Sequence, residues 1–253
     1  MDATNVALSN GALGDYFYTW LVDTQYADPR NVFLLQNGVL RISGDGLGYL
    51  ATQQVFQDYH LSLEFRWGER NWPWGNQIGK ARDSGIFLHA TGPDGNSHDG
   101  DGAFMAAIEC NVFQGAVGDF LLIRGDDTNG DLISPEVHTH VADEMDRDGW
   151  PTFKIGGRAQ TVKKWGRINH RFKSSDWKDQ TDFRAPGDVT VPGAWNRLEC
   201  RCMGDQILVF VNGVMVNKVK KIWPRKGKIL LQCEGSEIFF RNMVVRLERY
   251  YGS

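Results

Sequence analysis

Two Asn-Gly pairs, each lying between strand-like runs, constrain the fold of this chain most strongly. They occur in "NVFLLQNGVLRIS" (31–43) and "DQILVFVNGVMVNKV" (205–219). Asn and Gly adopt the positive φ angles of a type I′ turn, so both segments predict β-hairpins. Other segments, such as "YHLSLEFRW" (59–67), alternate apolar and polar residues as half-buried strands do. About ten such segments, separated by turn residues, predict an all-β fold, a two-sheet antiparallel β-sandwich.

One long stretch lacks this succession of strand-like segments and turns. Residues from about 126 to 192 are polar, with Gly, Asp, Lys and Trp scattered among them. A length of 253 residues, 42% of them hydrophobic, suits one large β domain. We therefore expect a single β-sandwich domain over residues 1–253, with a long irregular insertion at about 126–192 laid over the sheet.

Composition and charge exclude several classes of protein. The formal net charge is −3, which is not the basic excess that nucleic-acid binding usually needs. Apolar runs such as "ILVFV" (207–211) are too short to span a bilayer. The N-terminus lacks the pattern of a signal peptide, so we expect a cytoplasmic protein if the chain is complete, or an exported one whose signal has been removed. The four cysteines fit neither a zinc pattern nor a disulfide scaffold, which predicts buried free thiols.

An acidic strand is the first candidate site. In "AAIECNVFQGAVGDF" (106–120), the side chains of Glu109, Asn111 and Phe113 share one face, because side chains alternate along a strand. The apolar side chains between them form the opposite face. An acid, an amide and an aromatic ring on one surface suit a ligand site. The alternative is the ordinary polar face of an antiparallel sheet.

A histidine at the end of a strand is the second candidate. In "RDSGIFLHATG" (82–92), Gly85, Phe87 and His89 share one face by the same alternation. An unperturbed histidine has a pKa near neutrality, so His89 is a ready proton carrier if it lies in a cleft. A histidine packed at a sheet edge is equally consistent with the pattern.

A charged hairpin is the third candidate. In "LLQCEGSEIFFRN" (230–242), Gln232 and Glu234 share a face before Gly235 turns the chain. Arg241 follows on the next strand. The pattern fits a polar binding surface, and it equally fits an ordinary hairpin in which a glutamate pairs with Arg241.

Loops add two further possibilities. Trp72 and Trp74 lie in the loop "RNWPWGN" (70–76), where flat rings can stack on sugars or pack as a lid. The loops "PDGNSHDGDG" (93–102) and "GDDTNGD" (125–131) carry the oxygen ligands that a divalent metal such as calcium prefers. Asp and Gly are also ordinary turn residues, so the sequence leaves a metal cofactor open.

Six stretches, in order along the chain, resemble one known family. They are "NGVLRISGDGLGYLATQQVFQDYHLSLEFRW", "DSGIFLHATGPDG", "IECNVFQGAVGDFLLI", "DFRAPGDVTVPGAWNRLEC", "ILVFVNGVMVNK" and "KGKILLQCEGSEIFFRNMVV". The chain resembles the 3-keto-disaccharide hydrolase family, formerly a domain of unknown function, whose fold is a concanavalin-like jelly roll. The resemblance implies a sugar-binding concave face, and we expect the insertion at about 126–192 to lie over that face. It also implies export to the periplasm or outside a glycan-degrading bacterium.

The resemblance also assigns residues to the site. It implies catalytic roles for Glu109, His89 and Glu234. The substrate-binding residues that we expect from the resemblance and the patterns above are Asn111, Phe113, Gln114, Gln232, Arg241, Trp72, Trp74 and Lys163. Related sequences commonly read "IECQIQEG" where this chain reads "IECNVFQG", so Asn111 and Gln114 depart from the family pattern.

The implied substrate is a 3-keto-glycoside, cleaved by β-elimination and hydration or by net hydrolysis. This chemistry needs a base, an acid for the leaving group and a group that stabilises an enolate. Glu109 or His89 would supply the base and the acid, and Arg241, Lys163 or a metal would stabilise the enolate. The alternative function is a non-catalytic carbohydrate-binding module, since jelly-roll sandwiches serve both purposes. The sequence does not indicate an oligomeric state.

Overall fold

The computed structural model describes residues 6–7, 13–74, 78–98, 102–163, 165–181 and 183–248. Almost all of the regular structure is β. The single helix of the described residues, α1, spans Leu13–Tyr16, and no described helix is long and apolar enough to cross a membrane. The strands are β1 (Val6–Ala7), β2 (Phe17–Leu21), β3 (Phe33–Gln36), β4 (Val39–Ile42), β5 (Leu47–Thr52), β6 (Tyr59–Asn71), β7 (Gly85–Thr91), β8 (Ala106–Asn111), β9 (Asp119–Ile123), β10 (Gly125–Asp126), β11 (Leu132–Ile133), β12 (Glu136–Met145), β13 (Pro151–Phe153), β14 (Arg158–Lys163), β15 (Arg167–Ile168), β16 (Asn196–Met203), β17 (Gln206–Val211), β18 (Val214–Trp223), β19 (Lys228–Glu234) and β20 (Ser236–Leu247).

Two antiparallel sheets form the sandwich. The larger sheet has 11 strands, in the order β13-β12-β18-β17-β16-β6-β20-β4-β3, with β1 paired to β20 and β14 paired to β12. The smaller sheet has seven strands, in the order β15-β9-β8-β7-β19-β5-β2. Strands β10 and β11 form a separate ribbon. The antiparallel β-sandwich expected from the sequence is therefore confirmed.

Both Asn-Gly pairs make the expected turns. Asn37 and Gly38 join β3 to β4 with φ angles of 52° and 73°. Asn212 and Gly213 join β17 to β18 with φ angles of 50° and 81°. Positive φ at both central residues is the signature of the type I′ turn, which matches the twist of the flanking strands.

The main core lies between the two sheets. On β8 the apolar positions Ile108 and Cys110 point into it, so Glu109 and Asn111 point away from it, on the outer face of the seven-stranded sheet. All four cysteines are buried with free thiols, as the sequence predicts. A second apolar cluster covers part of that outer face, where Phe87 meets Phe104 edge-on at 5.2 Å.

The segment 126–192 is more regular than expected. Strand β12 pairs with β18 and with β14, so residues 136–163 extend the 11-stranded sheet rather than forming an irregular insertion. The sequence did not indicate β12 because its outward residues are Glu and His and one inward residue, Thr139, is polar, so the strand does not read as apolar. The remainder of the segment includes Trp177, which packs near Phe113 at one edge of the seven-stranded sheet.

Candidate active site

Strand pairing in the seven-stranded sheet brings the predicted polar residues together. β7 pairs with β8 so that Gly85 lies opposite Asn111, and Phe87 lies opposite Glu109. On the other side of β7, the register with β19 places Gln232 next to Gly85. Alternation along the strands then directs these side chains to the outer face. The acid and the two amides thus meet around a glycine.

Gly85 provides the space in which they meet. A Cβ atom added to this residue would clash with Oε1 of Glu109 and would lie 2.9 Å from Oε1 of Gln232. The two side chains therefore extend over the glycine from the neighbouring strands. Any larger residue at this position would have to displace them.

Amide groups bridge the carboxyl groups of the site. Asn111 Nδ2 donates to Glu109 Oε1 at 2.9 Å and to Asp83 Oδ1 at 3.2 Å. Gln232 Nε2 donates to Glu234 Oε2 at 2.6 Å. The remaining oxygens, Asn111 Oδ1 and Gln232 Oε1, are buried and have no hydrogen-bond partner among the described residues. A buried acceptor without a partner is costly, so each is available to a ligand donor.

The three carboxyl groups have raised pKa values. Burial, followed by the charge of Asp83, raises the pKa of Glu109 from 4.5 to about 8. Burial raises the pKa of Asp83 from 3.8 to about 6, against the opposing effects of Arg167 and Asn111. Burial, followed by the charges of Asp83 and Glu109, raises the pKa of Glu234 well above 4.5. Glu109 is only 2% exposed, whereas Asp83 and Glu234 are partly open to solvent.

Asp83, Glu109 and Glu234 form an acid cluster. Two cationic residues lie beside it, but neither forms an ion pair with it among the described residues. Arg167 Nη2 contacts Asp119 Oδ2 at 2.7 Å, and Asp119 is fully buried. Lys173 is 4% exposed, makes no ion pair with any described residue, and holds its Nζ 5.0 Å from the ring centre of Phe113. Burial, followed by the charge of Arg167, lowers the pKa of Lys173. Both cations favour the ionised form of Asp83.

Four of the predicted site residues therefore lie together: Glu109, Asn111, Gln232 and Glu234. Phe113 and Gln114 lie shortly after β8 and contact the neighbouring chain. Gln114 Nε2 donates to the carbonyl of Thr181, and its Oε1 accepts from the backbone of Arg82 at 3.2 Å. Gln114 thus fastens the segment around Thr181 to the edge of the site.

His89 does not lie on this surface, and the expectation that it shares a face with Glu109 is wrong. Its φ angle is +56°, and the pairing register shifts on both sides of it. This irregularity reverses the alternation. The ring of His89 instead meets the core residue Tyr59 at 5.6 Å, and Nδ1 lies 2.9 Å from the carbonyl oxygen of Pro224.

Arg241 and Lys163 also lie elsewhere. Arg241 is on β20 of the 11-stranded sheet, where its Nε contacts Glu64 Oε2 at 2.6 Å and its guanidinium stacks 4.2 Å from the ring centre of Trp195. Lys163 is exposed on β14 and pairs with Glu136 at 2.7 Å. The expectation that these two residues join the acid cluster is corrected, because strand pairing places both in the other sheet.

The two loop tryptophans lie at the edge of the site, near the end of β19. Trp72 Nε1 donates to the carbonyl of Ser43 at 2.8 Å, and Trp74 Nε1 donates to the carbonyl of Gly44 at 3.2 Å. The backbone N–H of Trp72 bonds to the carbonyl of Gly235, directly after Glu234. The two rings are therefore anchored beside the end of β19.

Sequence reasoning missed Asp83, Arg167 and Lys173. Asp83 has the same parity as Gly85 and Phe87, so one more step back along the pattern would have found it. Arg167 and Lys173 come from the non-periodic part of the chain. Their placement depends on long-range bonds, such as that from the His170 N–H to Asp119 Oδ1 at 2.8 Å, which have no local sequence signal.

Two aspartates of the acidic loops accept hydrogen bonds from other groups of the protein. Asp94 accepts hydrogen bonds from the hydroxyls of Tyr18, Tyr26 and Tyr49 at 2.5, 3.0 and 2.8 Å. Asp127 accepts two backbone N–H groups of its own turn. Among the described residues, which omit 99–101, no group of three or more His, Cys, Asp or Glu side chains could hold a metal ion.

Solved structures with the same fold include two proteins of Parabacteroides distasonis, each named a "putative glycosyl hydrolase". The first is 15% identical with a TM-score of 0.50, and the alignment covers 97% of this chain and 100% of that one. The second is 11% identical, with the same TM-score and coverage. At these identities the likeness shows the fold alone. No curated protein matches this sequence.

The family comparison covers nearly the whole chain. The model described as a "3-keto-alpha-glucoside-1,2-lyase-like domain" matches residues 5–246, which include all of the residues of the acid cluster. The match confirms the resemblance to the 3-keto-disaccharide hydrolases and indicates an enzyme class that acts on glycosides. The chain belongs to the 3-keto-alpha-glucoside-1,2-lyase-like family.

Proposed function

We propose that this protein cleaves 3-keto-glycosides by β-elimination on the outer face of its seven-stranded sheet. One observation carries the proposal: Glu109 and Asp83 are joined through Asn111, and their pKa values of about 8 and 6 fall on either side of neutrality. Two carboxyl groups whose environments separate their pKa values can act as an acid and a base at the same pH.

The substrate determines what the two groups do. A keto group at carbon 3 of a sugar acidifies the hydrogen on carbon 2. Removal of that proton gives an enolate, which expels the glycosidic oxygen from carbon 1 and leaves a conjugated 2-hydroxy enone. Water then adds to carbon 1 while carbon 2 regains a proton, which completes net hydrolysis.

The pKa values assign the roles. Asp83 has the lower pKa and is ionised near neutrality, so it takes the proton from carbon 2. Glu109 keeps its proton up to about pH 8 and donates it to the leaving oxygen. The bridge through Asn111 holds the two carboxyl groups beside the same substrate.

The surrounding residues supply binding and charge stabilisation. Arg167 and Lys173 provide a positive field for the enolate in a partly buried site, where such a field is stronger than in water. The unpartnered oxygens of Asn111 and Gln232 accept hydrogen bonds from sugar hydroxyls. These roles replace those expected for Arg241 and Lys163.

The acid cluster favours catalysis over a non-catalytic carbohydrate-binding module. A binding module needs aromatic rings and amides, but it gains nothing from buried carboxyl groups that lack direct ionic partners. Such groups destabilise the folded protein unless they are protonated or paired. Carboxyl groups that are buried without ionic partners, at a site partly open to solvent, are typical of a functional site.

Turnover of a 3-keto-glucoside in deuterated water tests the proposal. We expect release of the aglycone, a transient near-ultraviolet band from the enone, and deuterium on carbon 2 of the 3-keto-glucose formed. Enzyme-free substrate under the same conditions provides the background for exchange. The unoxidised glucoside, which has no acidified carbon 2, should remain intact.

Two results would contradict the proposal. Aglycone release without deuterium at carbon 2 above the background would indicate direct hydrolysis. Tight binding of the 3-keto-glucoside without any release would instead indicate the binding module.

A further inference from the structure

A depression lies on the opposite side of the sandwich from the candidate active site, on the outer face of the 11-stranded sheet. It has a volume of about 520 Å³ and forms where β12 and β18 lie side by side. Its lining includes Glu136, His138, Asp205, Lys221, Trp223 and Arg225. None of these residues belongs to the acid cluster.

An exposed tryptophan forms the centre of this depression. Trp223 is 49% exposed, and its ring stacks on no other ring or cation among the described residues. It pairs with Glu136 across the strands, while the preceding Ile222 is buried in the core. A large flat ring held outward in a depression gives a sugar ring an apolar surface on which to stack.

Unpaired cations surround the tryptophan. Lys220, Lys221, Arg225 and Lys226 are exposed, and none forms an ion pair with a described residue. The pairing of β12 with β18 is irregular here, and Lys221 has a φ of +47°. Such a bulge adds one residue to the strand and re-aims its neighbours, which leaves two successive lysines facing solvent.

Arg246, Arg201 and Lys218 form a basic row on the same sheet. Strand register aligns them across five neighbouring strands, with His60, which pairs with Glu199 at 3.0 Å, between the first two and the apolar Leu208 between the last two. At about 4.8 Å between strands, the row extends roughly 20 Å.

We propose that the depression and the basic row bind an acidic polysaccharide, that is, a chain whose sugar units carry carboxylates. One sugar ring stacks on Trp223, its carboxylate lies between Lys221 and Arg225, and its hydroxyls donate to Glu136 and Asp205. The basic row binds the following units. This site lies on the opposite sheet from the acid cluster, so it does not depend on the function proposed there.

One feature favours a polysaccharide over a nucleic acid. Nucleic-acid grooves use a series of aromatic platforms along the backbone track, whereas this depression holds a single tryptophan.

Native gel electrophoresis through dissolved polymer tests the proposal. We expect polygalacturonate to retard the parent protein, with retardation that weakens as salt is raised. Dextran, a neutral glucan, should have no effect. A single-stranded oligodeoxythymidylate is the competing polyanion, and it should bind more weakly than polygalacturonate.

Matched variants locate the site. Lys221→Ala/Arg225→Ala and Trp223→Ala should each weaken binding to polygalacturonate by about tenfold or more, with the melting temperature near that of the parent. The control Lys154→Ala/Lys178→Ala removes two exposed lysines outside the depression and should bind like the parent. If Trp223→Ala unfolds, the double charge variant decides alone.

Three results would overturn the proposal. They are a parent protein that polygalacturonate does not retard, an oligonucleotide that binds more tightly than polygalacturonate, and an equal loss of binding in the charge variant and its control.

Discussion

The glutamates on the outer faces of the two sheets have different partners. On the 11-stranded sheet, Glu64 pairs with Arg241 at 2.6 Å and Glu237 pairs with Arg41 at 2.8 Å. On the seven-stranded sheet, Glu109 and Glu234 have amide neighbours but no direct ion pair among the described residues. Strand alternation alone would make the two faces look alike. The difference shows that burial without a cationic partner, rather than the presence of acids, marks the site.

Replacing the acids of each face should give the largest contrast. We expect Glu109→Gln and Asp83→Asn each to lower turnover of a 3-keto-glycoside by about 10²–10⁴-fold, the usual loss for a positioned acid or base. Glu64→Gln is the matched control on the other face and should stay within about threefold of the parent, since a partly exposed ion pair contributes little. Steady-state rates measure this. Equal losses in all three variants would remove the distinction between the faces.

The pH dependence of kcat/KM should separate the two acids. Activity should rise through about pH 6 as Asp83 ionises, and it should fall through about pH 8 as Glu109 loses its proton. Because the two groups interact, these limbs belong to the pair. The residual activity of Glu109→Gln should lack the alkaline limb. An alkaline limb retained in that variant would assign it to another group.

Gly85→Ala should damage the site with less effect on the fold. The added methyl group clashes with the Glu109 carboxyl and crowds the Gln232 amide, so both must move. We expect turnover to fall by about tenfold or more, since small displacements of catalytic groups are costly. Gly14→Ala, where the added methyl group meets no atom within 4 Å, provides a control for the general effect of the substitution on stability. Full activity in Gly85→Ala would show that these side chains need not extend over Gly85.

The last of these predictions concerns stability. Glu109 keeps its proton up to about pH 8 in the folded protein but loses it near 4.5 when unfolded, so the folded state binds more protons between those values. The stability of the parent therefore falls as pH rises through this window. Glu109→Gln cannot ionise, so its melting temperature relative to the parent should increase from pH 4.5 to 8. A difference that does not change with pH would contradict the raised pKa.

Regular alternation explains which parts of the site could be predicted from the sequence. Glu109, Asn111, Gln232 and Glu234 lie on regular strands, where a period of two determines the face that each side chain occupies. The face of His89 was predicted wrongly because a positive φ at a non-glycine residue has no reliable signal in the local sequence. Arg241 was placed wrongly because alternation gives the face of a strand but does not identify its sheet.

Tertiary contacts explain what could not be predicted. Strand β12 could not be predicted from the sequence because its outward side chains are polar and its pairing with β18 is long-range. Arg167 and Lys173 reach the site through a segment held by Asp119, which accepts from both Arg167 and the His170 backbone. The sandwich could be predicted because hairpin turns and alternation are local, whereas the charge balance of the site depends on residues far apart in the chain.

The central claim is that Glu109, on the outer face of the seven-stranded sheet, is protonated at neutral pH. Infrared difference spectroscopy of the parent against Glu109→Gln, titrated with pH, tests this most directly. In the difference spectrum we predict a protonated-carboxyl band of Glu109 at pH 7, which is lost through about pH 8. The same band should be unchanged in Glu64→Gln. No such band at pH 7, or its disappearance already near pH 4.5, would contradict the account.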